Sequence, residues 1–404
     1  MSPEALRALI AGLIVGLVGG LLLASQVEDL GGVGDLIGSA DSPSDEALDV
    51  IEDSYFKDVD SSRLDNASIR GMVRELRDDF DDRFSHYFDP SQLKQFKQST
   101  SGSFSGIGLS VSEVKPGLRV TTVFDDTPAQ EAGIREGDVI LAVDGDSIAG
   151  EPADVATGTI KGPPGTTVEL RVRSPSTGRT REIRLERAQV QVPVVQGSLQ
   201  RAGGRKVAYV QLAGFSQGAH GELRAELERL YRKGAEGFVL DLRGNGGGLL
   251  NEAVLTSSVF VDKGVIVSTS GRTQQEREYR AVGGALDPRP GVVLINRDTA
   301  SAAEILTAAL DDYDLATVVG TRSFGKGVFQ EVIDLDNGGA LDLTVGEYLT
   351  SEGRSLAGKG IRPEVAAKDD LKTVTRSGPG QVVRNDEGLQ RALQVLGREL
   401  GQGQ

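Results

Sequence analysis

Three polar residues in the second half of the chain have the types and spacing of a catalytic group. Ser301 follows an apolar run, residues 292–295, that is too short for a helix and predicts a buried strand. The residues from Ser301 to Glu304 are typical of a helix start, so Ser301 is predicted at a strand-to-helix turn, where free backbone N–H groups gather. Lys326 stands between two glycines, and Gln330 follows four residues later.

A serine hydroxyl becomes a strong nucleophile when a base takes its proton, and that base is usually histidine. The chain has two histidines: His86, in an acidic stretch that is predicted to be helical, and His220, in a predicted turn. Both are interpreted as surface residues because their surroundings are polar. The chain has no cysteine, which excludes thiolate nucleophiles and thiolate metal sites, and it has no His-Glu-x-x-His motif. Lys326 is therefore the best remaining base if Ser301 is a nucleophile.

A lysine that acts as a base must be neutral. Because an unperturbed lysine has a pKa near 10.4, the site must lower that pKa by about 3 units, or roughly 4 kcal/mol. Burial against Phe324, Val328 and Phe329 can do this, and Gln330 could hold the amine by a hydrogen bond without adding a charge. On these residues alone, a surface lysine in a glycine-rich turn remains an alternative.

A glycine-rich loop, residues 244–248, follows a predicted strand and precedes a predicted helix. Its spacing only half meets a dinucleotide-binding motif, and simple turn chemistry would not need so many glycines. An oxyanion hole fits best, because a glycine N–H at a helix start can approach a developing negative charge closely and contributes about 3 to 4 kcal/mol.

The repeated alternation of strand, helix and strand predicts an α/β core. Residues 341–345 alternate apolar and polar, which predicts a half-buried strand.

Two segments together resemble the catalytic region of the carboxy-terminal processing proteases, which are tail-specific serine peptidases. They are Thr-Ala-Ser-Ala-Ala-Glu-Ile at 299–305 and Ser-Phe-Gly-Lys-Gly-x-x-Gln at 323–330. The resemblance extends over nearly the whole chain after the N-terminal segment. It implies an α/β protease core of ClpP/crotonase-like type, an inserted PDZ domain and an N-terminal helical region, and it implies no metal or organic cofactor. An N-terminal transmembrane helix is predicted separately, from an apolar run at residues 8–27.

The resemblance also implies a role for each residue of the site. Ser301 would be the nucleophile, Lys326 the general base and Gln330 the partner that orients the lysine. The motif Asp-Leu-Arg-x-Asn-x-Gly-Gly-Leu around the glycine-rich loop is similar to the segment that supplies an oxyanion donor in this family. By position, that donor would be the N–H of Gly247, paired with the N–H of Ala302.

A second resemblance, to PDZ domains, covers residues 104–188 and is carried by Thr-Pro-Ala-x-x-Ala-Gly-Ile-x-x-Gly-Asp-Val-Ile at 127–140. It implies a β-rich, partly open barrel. Upstream of this motif, two glycines let successive backbone N–H groups turn toward a carboxylate, and the next strand can pair with an extended peptide. An ordinary hairpin is the alternative there. The predicted peptide-binding residues are Gly106, Ile107, Gly108, Leu109, Ser110 and Val111.

Residues 8–27 are uncharged and mostly apolar, which is long enough to cross a bilayer at 1.5 Å per residue. Arg7 precedes this run and Glu28 follows it, which predicts that the body of the protein is exported. No Ala-x-Ala site follows, so an uncleaved anchor is favoured over a signal peptide whose cleavage would leave a secreted or periplasmic protein. A stripe of small residues could pair two anchors: Gly12, Gly16 and Gly20.

The predicted organisation of the 404 residues has six parts. They are a membrane anchor or signal segment (1–30), a linker (31–42), an N-terminal helical region (43–103), a PDZ domain (104–188), a serine peptidase core (189–370) and a C-terminal helical tail (371–404). The net charge of −15 argues against nucleic acid as a partner.

We therefore predict a membrane-anchored, extracytoplasmic serine endopeptidase. Its PDZ domain would bind unstructured C-terminal tails of proteins, and Ser301 and Lys326 would cleave them. The alternatives are a catalytically inactive PDZ scaffold and a crotonase-like acyl-CoA enzyme, although the PDZ domain and the predicted export argue against the second. The sequence leaves the substrate, a regulatory partner and a homo-oligomeric state open.

Overall fold

The computed structural model describes residues 42–273, 275–368 and 386–402. The predicted anchor, residues 8–27, lies outside the described residues, and so does nearly all of the predicted linker. Within the three described ranges, no helix is both long enough and apolar enough to cross a bilayer.

The described helices are α1 (Pro43–Ser54), α2 (Ser61–Phe80), α3 (Pro90–Thr100), α4 (Pro128–Glu131), α5 (Ala153–Ile160), α6 (Ala219–Arg232), α7 (Leu250–Ser257), α8 (Ala302–Asp312) and α9 (Glu387–Gln402). The described strands are β1 (His86–Phe88), β2 (Ser103–Gly106), β3 (Leu109–Val114), β4 (Gly117–Val123), β5 (Val139–Val143), β6 (Asp146–Ser147), β7 (Thr167–Arg173), β8 (Thr180–Glu186), β9 (Ala188–Gln191), β10 (Val195–Ala202), β11 (Arg205–Leu212), β12 (Phe238–Asp241), β13 (Val265–Ser270), β14 (Arg277–Arg280), β15 (Gly291–Ile295), β16 (Thr317–Gly320), β17 (Val328–Asp334), β18 (Ala340–Thr350) and β19 (Val365–Ala366).

The predicted peptidase core contains a sheet in the order β10-β11-β12-β15-β16-β19, in which only the β10–β11 pair is antiparallel. Both faces of this sheet are covered. Ala208 and Val210 of β11 face the side where α6, α7 and α8 pack, whereas Val207 faces the opposite side, where Leu389 and Leu396 of α9 pack. This two-sided burial explains why the central strands read as nearly continuous apolar runs. The predicted α/β core is confirmed.

A second sheet of the core places β18 between β1 and β13, with β14 beyond β13 and with β17 also paired to β18. The PDZ strands form a separate antiparallel sheet in the order β3-β4-β5-β7-β8, with β6 beside β5. The chain enters and leaves this sheet through an antiparallel ribbon of β2 and β9, in which Ser103 pairs with Gln191. The predicted PDZ domain is thus an insertion held at its base by a short ribbon.

Two predicted elements around the histidines are wrong. His86 is the first residue of strand β1, not part of a helix. Helix α2 ends at Phe80, its C-cap residue Asp81 is in the left-handed region (φ 52°), and the chain then pairs with β18. His220 is the second residue of α6 rather than part of a turn. Both histidines are half-buried rather than fully exposed.

The predicted half-buried strand at 341–345 is part of β18, but its polar face is not exposed to solvent. Asp342 is only 2% exposed, and charged groups from two distant segments, Lys326 and Asp82, lie near its carboxyl group. Leu341 and Leu343 line a groove against α2. An alternating pattern identifies the two faces of a strand, but it does not reveal that a distant segment covers the polar one.

Candidate active site

Ser301 lies where the predicted turn was expected, after β15 and at the N-cap of α8. Its backbone has φ 55° and ψ −117°, a strained conformation for a residue other than glycine, which costs about 1 to 3 kcal/mol. The residue is 1% exposed. Its Oγ makes no hydrogen bond to any described residue, so the hydroxyl is not committed to a structural role.

The strain at Ser301 predicts an unusual order of stabilities. We expect Ser301→Gly to be more stable than Ser301→Ala by about 1 kcal/mol, because glycine adopts positive φ freely and alanine does not. The measurement is the free energy of unfolding in urea for the two variants. Equal stability, or a more stable alanine variant, would contradict the strained conformation.

Lys326 is completely buried between Gly325 and Gly327, in the loop just before β17. The two glycines are needed because another loop passes very close. A Cβ atom on Gly325 would lie 2.9 Å from the Gly360 backbone nitrogen, and one on Gly327 would lie 2.0 Å from that of Ala357. Lys326 therefore reaches the interior on a backbone segment whose neighbouring positions have room only for glycine.

Two opposing effects act on the pKa of the Lys326 amine. Burial lowers the pKa of its amine to about 8, against the charges of Asp342, Glu304 and Asp82, which raise it. Burial also raises the pKa of the Asp342 carboxyl to about 7, although Lys326 lowers it. The pKa of His86 is lowered, first by burial and then by the charges of Arg77 and Lys326. Burial is thus the dominant effect on all three groups.

Glu304 connects the serine turn to the lysine loop. Its buried carboxyl group accepts hydrogen bonds from the backbone N–H groups of Ser301 (2.8 Å), Gly325 (2.8 Å) and Lys326 (2.9 Å) and from the hydroxyl of Ser323. Burial raises the pKa of this carboxyl, and the four hydrogen bonds act in the opposite direction. A single side chain therefore fixes the relative positions of Ser301 and Lys326.

Gln330 is buried in β17, but it does not make the predicted contact with the lysine amine. Its Nε2 donates to Thr344 Oγ1 (3.1 Å), and Thr344 Oγ1 donates in turn to Asp82 Oδ1 (3.1 Å). Its Oε1 makes no hydrogen bond to a described residue. The residue thus has one acceptor that remains available for a nearby N–H group.

The segment before β1 covers the lysine from the N-terminal region. The Lys326 Nζ atom lies 5.0 Å from the centroid of the Phe84 ring, a cation–π distance. Phe84 in turn contacts the ring of Phe324 edge-on. The side chain of Asp82 accepts hydrogen bonds from the backbone N–H groups of Phe84 and Ser85, and these bonds fix the segment in place.

The glycine-rich loop lies directly against Ser301. A Cβ atom on Gly247 would lie 3.0 Å from Ser301 Cβ and 3.0 Å from the Ala302 backbone nitrogen. The Gly247 N–H, however, donates to Asn245 Oδ1 (2.8 Å), and so the predicted oxyanion donor is engaged by a side chain in this structure. In the described part of the chain, no acceptor is bonded to the Ala302 N–H.

The predicted peptide-binding residues surround the free edge of the PDZ sheet. Leu109, Ser110 and Val111 belong to β3, whose only partner strand among the described residues is β4. Gly108 has φ 87°, and its carbonyl accepts the N–H of Phe124 (3.0 Å). Ile107 is buried in the PDZ core, and Gly106 ends β2. Helix α5 packs against β3.

Comparison with known proteins identifies the family. The sequence model of peptidase family S41 matches residues 206–367, and that of the PDZ domain matches residues 105–185. The carboxy-terminal-processing protease of Bartonella bacilliformis is 36% identical over 327 residues, which cover 80% of this chain and 73% of that protein. The carboxy-terminal processing protease CtpA of Bacillus subtilis is 34% identical over 323 residues, which cover 80% and 68%. The chain belongs to the carboxy-terminal processing proteases.

This processing protease is thus a serine peptidase of family S41 with a PDZ domain, and the resemblances noted in its sequence are confirmed. Among solved structures, the photosystem II D1 C-terminal processing protease is similar, with 30% identity, coverage of 81% of this chain and 93% of that chain, and a TM-score of 0.48.

Several groups that surround Ser301 and Lys326 in this processing protease were not predicted from the sequence. They are Asp82, Phe84, Asn245, Asp342 and Tyr348. Asn245 lies within the glycine-rich motif and could have been noted as its only amide side chain. The other four carry no local signal, because they reach the site through pairing of β1 and β17 with β18.

Proposed function

We propose that this protease cleaves peptide bonds with Ser301 as the nucleophile and Lys326 as the general base. The observation that carries the proposal is a wholly buried lysine, with a pKa of about 8, in a loop that Glu304 ties to the serine turn. The neutral amine takes the proton from Ser301 Oγ as this oxygen attacks the carbonyl carbon. The resulting ammonium then returns the proton to the leaving amine, and water hydrolyses the acyl-enzyme.

We infer that the backbone N–H of Ala302 and that of Gly247 hold the oxyanion. The Ala302 N–H lies at the start of α8, where helix N–H groups have no partner within the helix. The Gly247 N–H now donates to Asn245 Oδ1. This hydrogen bond must break before the Gly247 N–H can donate to a substrate oxyanion. For Gln330, the free Oε1 supports a role as acceptor for the lysine amine once the side chain shifts.

We further propose that the free edge of β3 binds the C-terminal tail of a protein substrate. The free edge of β3 supports this, because an extended peptide can add to it as a further strand. The test is binding of a labelled apolar peptide with a free carboxylate, with its C-terminal amide as the matched control. Equal affinity for both peptides would contradict recognition of a terminal carboxylate.

Cleavage of a defined peptide tests the proposed function directly. Wild type should cleave a protein with an unstructured apolar tail, and Ser301→Ala should bind the same tail without cleaving it. A wild type that binds tails without cleaving them would support the inactive scaffold instead. Hydrolysis of acyl-CoA without peptide cleavage would support the crotonase-like alternative.

The lysine base predicts a specific pH dependence. Because only neutral Lys326 accepts a proton, kcat/KM should rise with pH and reach half of its maximum near pH 8. Asp342→Asn removes a negative charge that favours the ammonium, so the half-maximum should move to lower pH by about 1 unit. Asp336→Asn, an exposed carboxylate near the same hairpin, is the control and should leave the profile unchanged. A shift to higher pH in Asp342→Asn would contradict the assignment.

Three broader features remain proposals. We infer that residues 8–27 anchor the protease in a membrane, with its peptidase outside the cytoplasm. We also infer that the peptidase core is of the ClpP/crotonase-like type. Its largely parallel sheet with helices on both faces supports this second inference. Protease accessibility of the full chain in intact and in lysed cells tests the location. Digestion only after lysis of the inner membrane would contradict it. Sedimentation of the detergent-solubilised protein tests a homo-oligomer.

A further inference from the structure

Two hydroxyl groups near the proposed site are buried without a hydrogen-bond partner among the described residues. They are Ser301 Oγ and Tyr348 Oη, and each residue is 1% exposed. Buried hydroxyls are almost always hydrogen-bonded, and an exception therefore calls for a physical reason. The proposed mechanism explains the free Ser301 oxygen, but it makes no use of Tyr348.

Tyr348 is held rigidly next to the lysine loop. Its backbone N–H donates to the carbonyl of Gly327, the residue after Lys326, at 2.7 Å. It pairs with Thr269 of β13, and its ring packs against Phe329 with the ring centroids 5.5 Å apart. Helix α8, which begins next to Ser301, packs against the same strand. Contacts with the lysine loop and with the element that follows Ser301 thus fix the position of the phenol.

The phenol and the serine hydroxyl interact although they lack hydrogen-bond geometry in this structure. The Ser301 hydroxyl lowers the pKa of Tyr348, but burial, which is the largest effect, and the nearby Tyr279 and Asp342 raise it well above its ordinary value. Tyr348 therefore keeps its proton at every pH at which the protease could work. A protonated phenol is a hydrogen-bond donor and is not a competing base.

We propose that Tyr348 is a further residue of the catalytic site, whose O–H donates a hydrogen bond to Ser301 Oγ. The inference rests on the proposed function of Ser301 and Lys326. In this arrangement the serine O–H is directed at Lys326 and the phenol O–H is directed at the serine oxygen. As Lys326 takes the serine proton, negative charge grows on Oγ, and a preorganised donor stabilises that charge.

Tyr348→Phe tests the proposal because it removes only the hydroxyl and keeps the ring that packs on Phe329. We expect kcat to fall by about 10- to 100-fold with KM unchanged, and the rate of Ser301 modification by a serine-reactive phosphonate to fall by the same factor. The midpoint of thermal unfolding should stay the same or rise, because a buried hydroxyl without a partner is lost. Tyr279→Phe, on neighbouring β14, is the matched control and should keep kcat within twofold.

The outcomes separate this inference from the proposed function. If wild type is modified at Ser301 and Tyr348→Phe is modified equally fast, the role of Tyr348 is overturned while the proposed function stands. If wild type is not modified at Ser301, the proposed function itself fails. A purely structural role would lower the unfolding midpoint and leave kcat per folded molecule unchanged, which also overturns the proposal. All rates are measured on the folded fraction after gel filtration.

Discussion

Replacing Lys326 with methionine is expected to lower kcat/KM for peptide cleavage by about 10⁴-fold, the upper end of what a positioned base contributes. The reaction then has no group in place to accept the serine proton. Methionine has a similar length and no charge, so that it fills the same buried channel. The measurement is cleavage of a fluorogenic peptide by wild type and variant at matched concentrations of folded protein.

Lys326→Met should lose activity without losing stability. The structure buries an amine completely and lowers its pKa through that burial. An apolar side chain at this position avoids the cost of burying a polar group, so the unfolding midpoint should not fall. Lys263→Met, an exposed lysine of the same domain, is the control for both measurements. A variant that loses activity only because it unfolds would contradict a direct role for the amine.

Replacing Glu304 with glutamine should damage both the fold and the reaction. The carboxyl group accepts four hydrogen bonds, and an amide would turn an NH₂ group toward some of these donors. We expect the free energy of unfolding to fall by about 2 to 4 kcal/mol, because buried donors lose their acceptor. We expect kcat per folded molecule to fall by about 10- to 100-fold, because an error of about 1 Å between reacting groups has an effect of that size.

Glu222→Gln is a matched control for Glu304. The Glu222 carboxyl also accepts backbone N–H groups, those of Val194 and Val195, but it contacts neither the serine turn nor the lysine loop. Its loss should lower the free energy of unfolding without changing kcat per folded molecule. If both variants changed kcat equally, Glu304 would have no special role in aligning Ser301 with Lys326. Urea unfolding and kcat at a single pH give the two quantities.

The sequence was sufficient where a feature depends on neighbouring residues. The apolar run before Ser301 and the helix start after it predicted the turn, which the structure confirms as β15 and α8. The sequence places Lys326 between two glycines, and the close approach of Gly360 and Ala357 explains why a larger residue would not fit at either position.

The sequence was insufficient where a feature depends on segments far apart in the chain. Phe84 covers Lys326 only because the segment around β1 folds onto β18, and that pairing has no local pattern. Asp342 was assigned to a half-buried strand, but the same pairing buries it near Lys326. Likewise, the Gly247 N–H was expected to face a substrate, and no periodicity in the sequence indicates that Asn245 accepts its hydrogen bond.

The location and pH dependence of covalent modification test the central claim most directly. A serine-reactive phosphonate should form an adduct that mass spectrometry places on Ser301, at a rate that rises with pH through about 8, where Lys326 loses its proton. Lys326→Met should form that adduct at least about 10²-fold more slowly. An adduct on another residue, or an unchanged rate of Ser301 modification in Lys326→Met, would contradict the pairing of this serine with this lysine.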